Sequence, residues 1–258
     1  MNYKIVIPAR MDSTRLPGKP LKLIAGKPMI WHVYQRALET GVGRDNIIIA
    51  TDNKTIFNIA SEFGAQAVMT SVHHSSGTDR CTEVAEILAW NEKQIVVNLQ
   101  GDEPLVPAQH IELVASTLFN STLAGMATLG CPIKNQTELD DPNCVKLLSD
   151  HSDKAIIFTR SPMSSHSTAH KLDQQASNDE FTTPWKRHIG MYAYHVGTLK
   201  NLKLLPSTHI EQLERLEQLK ALWHGIHIQV ANIQQAPGHG VDTPEDLNRV
   251  RAVLEMAV

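Results

Sequence analysis

Arg10, Arg15 and Lys19 lie together in the stretch Pro8-Ala9-Arg10-Met11-Asp12-Ser13-Thr14-Arg15-Leu16-Pro17-Gly18-Lys19-Pro20-Leu21. Its prolines and Gly18 oppose helix formation, so the three cations ride on a loop directly after the apolar run Ile5-Val6-Ile7. Open α/β sheets bind ligands at the carboxyl ends of their strands. Two guanidinium forks and a Lys point charge at such a place suit a polyphosphate and a departing pyrophosphate. A second group is Asn98-Leu99-Gln100-Gly101-Asp102-Glu103-Pro104, where an apolar strand ends in a carboxylate on a glycine turn. A hard oxygen ligand beside a triphosphate is what Mg²⁺ takes, because that ion completes its shell with water and phosphate oxygens. On spacing alone, Asp102 reads equally well as ordinary Gly-Asp turn chemistry.

Familiar nucleotide motifs do not fit. Gly18-Lys19 and Gly26-Lys27 are each followed by proline, not by Ser or Thr, so neither is a P-loop. Gly41-x-Gly43 lacks a third glycine and follows a helical pattern, which removes the dinucleotide fingerprint.

The elements that must position these groups follow from periodicity. The runs Ile5–Ile7, Ile47–Ala50, Ala67–Met69 and Ile95–Leu99 read as strands, with helical spacing between them. This is the rhythm of a parallel sheet, and Ile5–Ile7 and Ile95–Leu99, almost without polar alternation, belong at its centre. Helices are predicted from Met29 to before Gly41 and over 54–63, 78–92, 108–119, 210–223 and 244–257. Strand-like segments at 126–133, 144–149, 155–160, 189–196 and 226–233, with few helices between, predict an antiparallel extension. Thr243-Pro244-Glu245-Asp246 reads as a helix N-terminus, which puts Asp242 at a strand-to-helix corner. Residues 161–187, rich in Ser and Thr, read as a loop or arm on a single domain spanning 1–258.

The 258 residues can close a core without staples. With 24 Lys and Arg against 27 Asp and Glu the net charge is -3, so the basic surplus of a nucleic-acid binder is missing. Three cysteines without C-x-x-C spacing suggest neither a disulfide framework nor a zinc site and favour a reducing, cytoplasmic setting. No run is long and apolar enough for export or membrane insertion. The histidines form no H-E-x-x-H or Cys/His pattern, so His73, His74, His224 and His227 are read as surface or packing residues.

Seven blocks occur in order: P-A-R-x-x-S-T-R-L-P-G-K-P-L at 8–21, G-K-P-M-I at 26–30, S-G-T-D-R at 76–80, N-L-Q-G-D-E-P at 98–104, R-H-I-G-M-Y at 187–192, L-E-Q-L at 216–219 and G-V-D-T-P-E-D-L at 240–247. Together they resemble the 3-deoxy-manno-octulosonate (Kdo) cytidylyltransferase family from residue 4 to about 250. The resemblance implies a nucleotidyltransferase-like (Rossmann-like) α/β fold, a homodimer, and coupling of CTP to an acidic eight-carbon sugar for lipopolysaccharide synthesis. It implies that Arg10 and Lys19 contact the CTP phosphates, with Arg15 near them, and that Ala9, Ser76, Gly77 and Arg80 belong to the nucleotide side. Gln100 is implied at the sugar, and Asp102 and Asp242 at Mg²⁺. Arg160, His188, Tyr192, Glu217 and Gln218 match positions that hold the sugar acid. By composition alone His188 reads as a core histidine, and Glu211, Glu214 and Glu217 as a solvated helix face. Only the family match turns His188, Glu217 and Gln218 inward.

The chain departs from the family at Thr159-Arg160-Ser161-Pro162-Met163-Ser164, where S-R-A-x-I-P is usual. The departure falls on the sugar and dimer sides, so another acidic sugar, such as the 8-amino analogue, is the nearer alternative. A nucleotide-binding module without catalysis is the farther one. The expected reaction is in-line attack by the anomeric hydroxyl on the α-phosphate, with Mg²⁺ on Asp102 and Asp242 and pyrophosphate leaving toward Arg10, Arg15 and Lys19.

Overall fold

The structure, a computed structural model, describes residues 1–13, 15–74, 76–161, 183–238 and 240–256. Among them a nine-stranded sheet forms the frame. Its main path runs β11 (Ile228–Asn232), β7 (Met126–Pro132), β10 (Lys186–His195), β6 (Ile95–Asn98), β1 (Tyr3–Ala9), β4 (Ile47–Thr51) and β5 (Gln66–Met69). β8 (Lys146–Ser149) and β9 (Ala155–Thr159) branch from β10. The apolar runs of β1 and β6 lie next to each other and inside the sheet, as their lack of alternation predicts. Ile5 and Ile7 enter the core on one face and Val6 the core on the other. Helices α1 (Met29–Leu38), α2 (Lys54–Glu62) and α4 (Ala108–Asn120) supply apolar side chains to the first face. The second is covered by α3 (Gly77–Ile87), α6 (Val196–Leu204) and α8 (Gln218–Trp223). α5 (Gln136–Asp140) is a single short turn.

β10 runs antiparallel to β6, β7 and β8, which is the extension read from sequence, but β11 pairs with β7 in parallel. Other boundaries also differ from expectation. The helix predicted over 78–92 stops at Ile87, because Ala89 takes a left-handed backbone (φ 51°). The helix predicted over 210–223 is two short helices, α7 (His209–Glu214) and α8, broken at Arg215 in the same region (φ 54°). The sequence pattern does not predict α6. Lys186 and Arg187 belong to β10 and not to an arm; the rest of the expected arm over 162–182 lies outside the described residues.

A third, smaller core matters most for the site. Leu16, Ile24, Met29, Val241, Leu247 and Val250 pack together, joining the turn after β1 to α9 (Pro244–Glu255). Burial of each such aliphatic group contributes about 1.5–3 kcal/mol, which fastens the C-terminal helix over the N-terminal loop. The helix is also tied to the small β2–β3 hairpin (Leu23–Ile24, Lys27–Pro28), where Arg251 Nε donates to the Leu23 carbonyl at 2.9 Å. No helix among the described residues is long and apolar enough to cross a membrane.

Candidate active site

A cleft of about 850 Å³ opens along the carboxyl ends of β1, β5 and β6 and runs out over β10 and α8. At its centre the turn after β6 passes so close to β1 that a Cβ on Gly101 would lie 2.5 Å from the Pro8 carbonyl oxygen. Glycine is therefore required there, and the tight turn presents Asp102 to the loop after β1. Lys19 Nζ stands 2.6 Å from Asp102 Oδ2 and 3.1 Å from Asp242 Oδ1, and Arg15 Nη2 lies 3.0 Å from the same Asp242 oxygen. Burial alone would lower the Lys19 pKa, but Asp102 and Asp242 outweigh it and hold the ammonium above its ordinary value. Beside them Glu103 is pushed up to about 8, first by burial and then by Asp102 and Asp242.

Asp242 is not at a strand-to-helix corner. β11 ends at Asn232, and Asp242 closes a long loop just before the cap residue Thr243. The cap itself is as read: Thr243 Oγ1 accepts from the Asp246 amide at 3.2 Å, while Asp246 Oδ2 accepts from the backbone amides of Asp242 at 3.1 Å and Thr243 at 2.9 Å. This box orients Asp242. Burial opposes ionisation of Asp246, yet Arg249 and these donors bring its pKa to about 2.

Arg10 is exposed and lines the cleft, and its guanidinium has no partner among the described residues, so its fork is free for an anion. Ala9, Ser76 and Gly77 also line the cleft, with Ser76 capping α3 through the Asp79 amide at 3.1 Å. Arg80, by contrast, is only 3% exposed. Its guanidinium pairs with Asp52 and donates to Thr70 Oγ1 at 2.7 Å and the Ser71 carbonyl at 3.2 Å.

On the other side of the centre, β10 sets Tyr192 opposite Asn98 of β6. His188 Nε2 lies 2.9 Å from the Tyr192 hydroxyl and 3.1 Å from Thr128 Oγ1, with its ring edge-on to Phe158. Burial, with the Arg160 charge, pushes the His188 pKa down to about 3, so the ring is neutral near pH 7. Arg160 Nε donates to the Glu214 carbonyl at 3.1 Å and Nη1 to the Pro142 carbonyl at 3.3 Å, and among the described residues its other N–H groups have no partner. Gln100 Nε2 donates to Asn98 Oδ1 at 3.4 Å. Glu217 is exposed at the cleft mouth, where it accepts from Thr78 Oγ1 at 3.2 Å and desolvation raises its pKa. Gln218 is 7% exposed and lines the cleft, and its Nε2 has no partner among the described residues. A buried amide donor left open is costly unless something else accepts from it.

The cleft thus gathers every residue singled out from sequence, and it adds some that sequence reasoning passed over. His74 is not a surface or packing residue: it lines the cleft, and its Nε2 lies 2.6 Å from Glu83 Oε2. Thr78, Tyr194 and Arg187 line it too. The only signal for His74 was its place just ahead of the Ser76-Gly77 block. His73 is exposed, His224 is half-buried with Nε2 3.3 Å from the Pro206 carbonyl, and His227 meets Lys154 Nζ at 3.2 Å, all away from the cleft.

No cluster of three or more His, Cys, Asp or Glu converges among the described residues. Asp102 and Asp242, sharing a single ammonium, instead supply two hard oxygen donors, a set that fits Mg²⁺ completed by phosphate oxygens and water. A cleft with the Arg10 guanidinium and the Lys19 ammonium at one end and the polar groups of Gln100, His188, Tyr192 and Gln218 at the other can hold a polyanion against an uncharged nucleophile such as a hydroxyl.

The chain is similar to known proteins over nearly its whole length. A solved structure of CMP:2-keto-3-deoxy-manno-octonic acid synthetase complexed with CTP superposes with a TM-score of 0.88, at 38% identity over 100% of both chains. A cytidylyltransferase from Leptospira borgpetersenii, at 16% identity and TM-score 0.61, shares the fold. The 3-deoxy-manno-octulosonate cytidylyltransferase of Thioalkalivibrio sulfidiphilus is 46% identical over 98% of this chain and 99% of its own. That of Pseudomonas fluorescens is 46% identical over 98% of each. Since the family described as cytidylyltransferase also matches residues 4–228, the chain belongs to the cytidylyltransferase family.

Proposed function

We propose that the protein couples CTP to 3-deoxy-manno-octulosonate, releasing pyrophosphate and yielding the CMP-sugar for lipopolysaccharide synthesis. The observation that carries this reading is the meeting of Lys19, Asp102 and Asp242, from distant parts of the chain, at the centre of one cleft. Arg10, Arg15 and Lys19 bind the triphosphate and receive the leaving pyrophosphate. Ala9, Ser76 and Gly77 face the nucleoside, with Arg80 bracing the wall behind them. Neutral His188 and Tyr192, with Gln100, Glu217 and Gln218, take the sugar hydroxyls, and Gln218 Nε2 gains there the acceptor it lacks. Arg160 faces the sugar carboxylate. Mg²⁺, held by Asp102 and Asp242, would neutralise charge at the α-phosphate and acidify the anomeric hydroxyl. The side chains themselves align the hydroxyl with the phosphorus and exclude competing water, so no covalent intermediate on the protein is needed.

A homodimer has a suitable face at the edge of β9 that is unpaired among the described residues, where Ile156 and Ile157 are exposed. A nucleoside triphosphate substrate and three free buried cysteines suit the cytoplasm.

The test is pyrophosphate release with CTP, UTP or ATP across a panel of sugar acids that includes the 8-amino analogue and a sialic acid. CTP with Kdo should be the preferred pair; nucleotide binding without release for any acceptor would leave only a binding module. Asp102→Asn and Asp242→Asn should be nearly inactive but folded, and wild-type turnover by both in saturating Mg²⁺ would remove the metal assignment.

A further inference from the structure

The strand order lays out the cleft. His188 and Tyr192 stand on β10, Asp102 follows β6, Arg10 and Lys19 follow β1, and His74 follows β5 at the far end. With the acceptor sugar at β10 and the phosphates over β6 and β1, the part of the cleft near β5 is left for the nucleoside. This placement rests on the function proposed above.

The loop carrying His74 is built to hold its ring still. Glu83 Oε2 accepts from the Ser71 amide at 2.8 Å and meets His74 Nε2 at 2.6 Å, while Arg80 donates to Thr70 and to the Ser71 carbonyl from the other side. The His74 side chain is only 17% exposed. A merely solvated histidine needs no such frame.

We propose that His74, anchored by Glu83, selects cytosine over uracil, its second ring nitrogen accepting a hydrogen bond from the cytosine 4-amino group. Burial alone would raise the Glu83 pKa, but its hydrogen bonds from Ser71 and His74 and the Arg80 charge lower it, so this carboxylate is ionised and can only accept. The proton between the pair therefore sits on Nε2. In the neutral ring Nδ1 is then a lone-pair acceptor. Cytosine offers an N–H donor at C4, whereas uracil offers a carbonyl oxygen, and two acceptors facing each other leave both unpaired. A carboxylate on α3 thus sets the tautomer that reads the base, without touching it.

The experiment measures kcat/KM for CTP and UTP, with Kdo as acceptor, in the wild type, His74→Ala and His74→Asn. Calorimetric binding of each nucleotide without acceptor runs in parallel. His74→Ala should lower kcat/KM for CTP on the order of 10- to 100-fold and leave UTP little changed, so that the CTP:UTP ratio collapses while KM for the sugar stays put. His74→Asn, whose amide oxygen can stand near the Nδ1 position, should recover most of the ratio. A wild-type CTP:UTP ratio in folded His74→Ala overturns the inference and leaves the proposed function standing. A wild type that binds CTP no better than UTP overturns both.

Discussion

Lys19 Nζ lies 2.6 Å from Asp102 Oδ2, an ion pair that ties the turn after β1 to the turn after β6. Lys19 also reaches Asp242, so one ammonium stands between two carboxylates whose chain positions are far apart. Lys19→Met should leave Asp102 and Asp242 to repel one another and remove a phosphate-binding charge. We expect kcat/KM for CTP to fall about 10²- to 10³-fold, as for loss of one preorganised donor at a developing charge. Lys19→Arg, which keeps the charge but changes its shape, should recover only part of the loss. Steady-state kinetics beside a circular dichroism melt checks this, and a Lys19→Met enzyme with near-normal turnover would show that the cluster is only structural.

The His188 pKa gives a pH dependence of stability with a definite sign. Burial and the Arg160 charge depress it from 6.5 to about 3. Between those values the unfolded chain binds a proton that the folded protein refuses. The contribution of neutral His188 is therefore complete above about pH 6.5 and is lost as the pH falls toward 3. The urea midpoint should drop from pH 7 to pH 4, and drop less steeply in His188→Asn, which cannot take up that proton. Parallel curves for the two proteins would mean that His188 is solvated in the folded state.

Local chemistry made half of the site legible. Pro8, Pro17 and Gly18 mark the cationic turn, Gly101 marks the turn that carries Asp102, and Thr243-Pro244 marks the cap beside Asp242, because each is dictated by neighbours in the chain. The rest depends on partners far away in sequence. Arg215 breaks the helix over 210–223 without a glycine or proline to announce it. Lys146, fully buried, donates to the carbonyls of Asp141 and Arg160 at 2.9 Å each, although nothing around it in the sequence hints at burial. His74 gains its meaning only from Glu83, which α3 brings over it. Periodicity also could not distinguish parallel from antiparallel pairing for β11, since both bury alternate residues in the same way.

The pairing of Arg80 with Asp52 separates bracing from binding on the nucleotide side. Asp52 follows β4, Thr70 follows β5, and Arg80 on α3 grips both, so the guanidinium closes the loop that carries His74 and Ser76. Removing either partner strands a charge. The cost for a buried pair is about 3–5 kcal/mol, and partial exposure of the Asp52 side chain, 17%, places this pair toward the lower end. Denaturant unfolding of Asp52→Ala and Arg80→Met should therefore show similar losses. If Arg80 acts only as a brace, the two variants should also raise KM for CTP by similar factors, because each frees the same loop, while KM for the sugar is spared. A direct contact between Arg80 and the nucleotide would break that symmetry. Arg80→Met would then weaken CTP binding at least tenfold more than Asp52→Ala at equal stability, and Arg80 would have to be counted among the groups that hold the ligand.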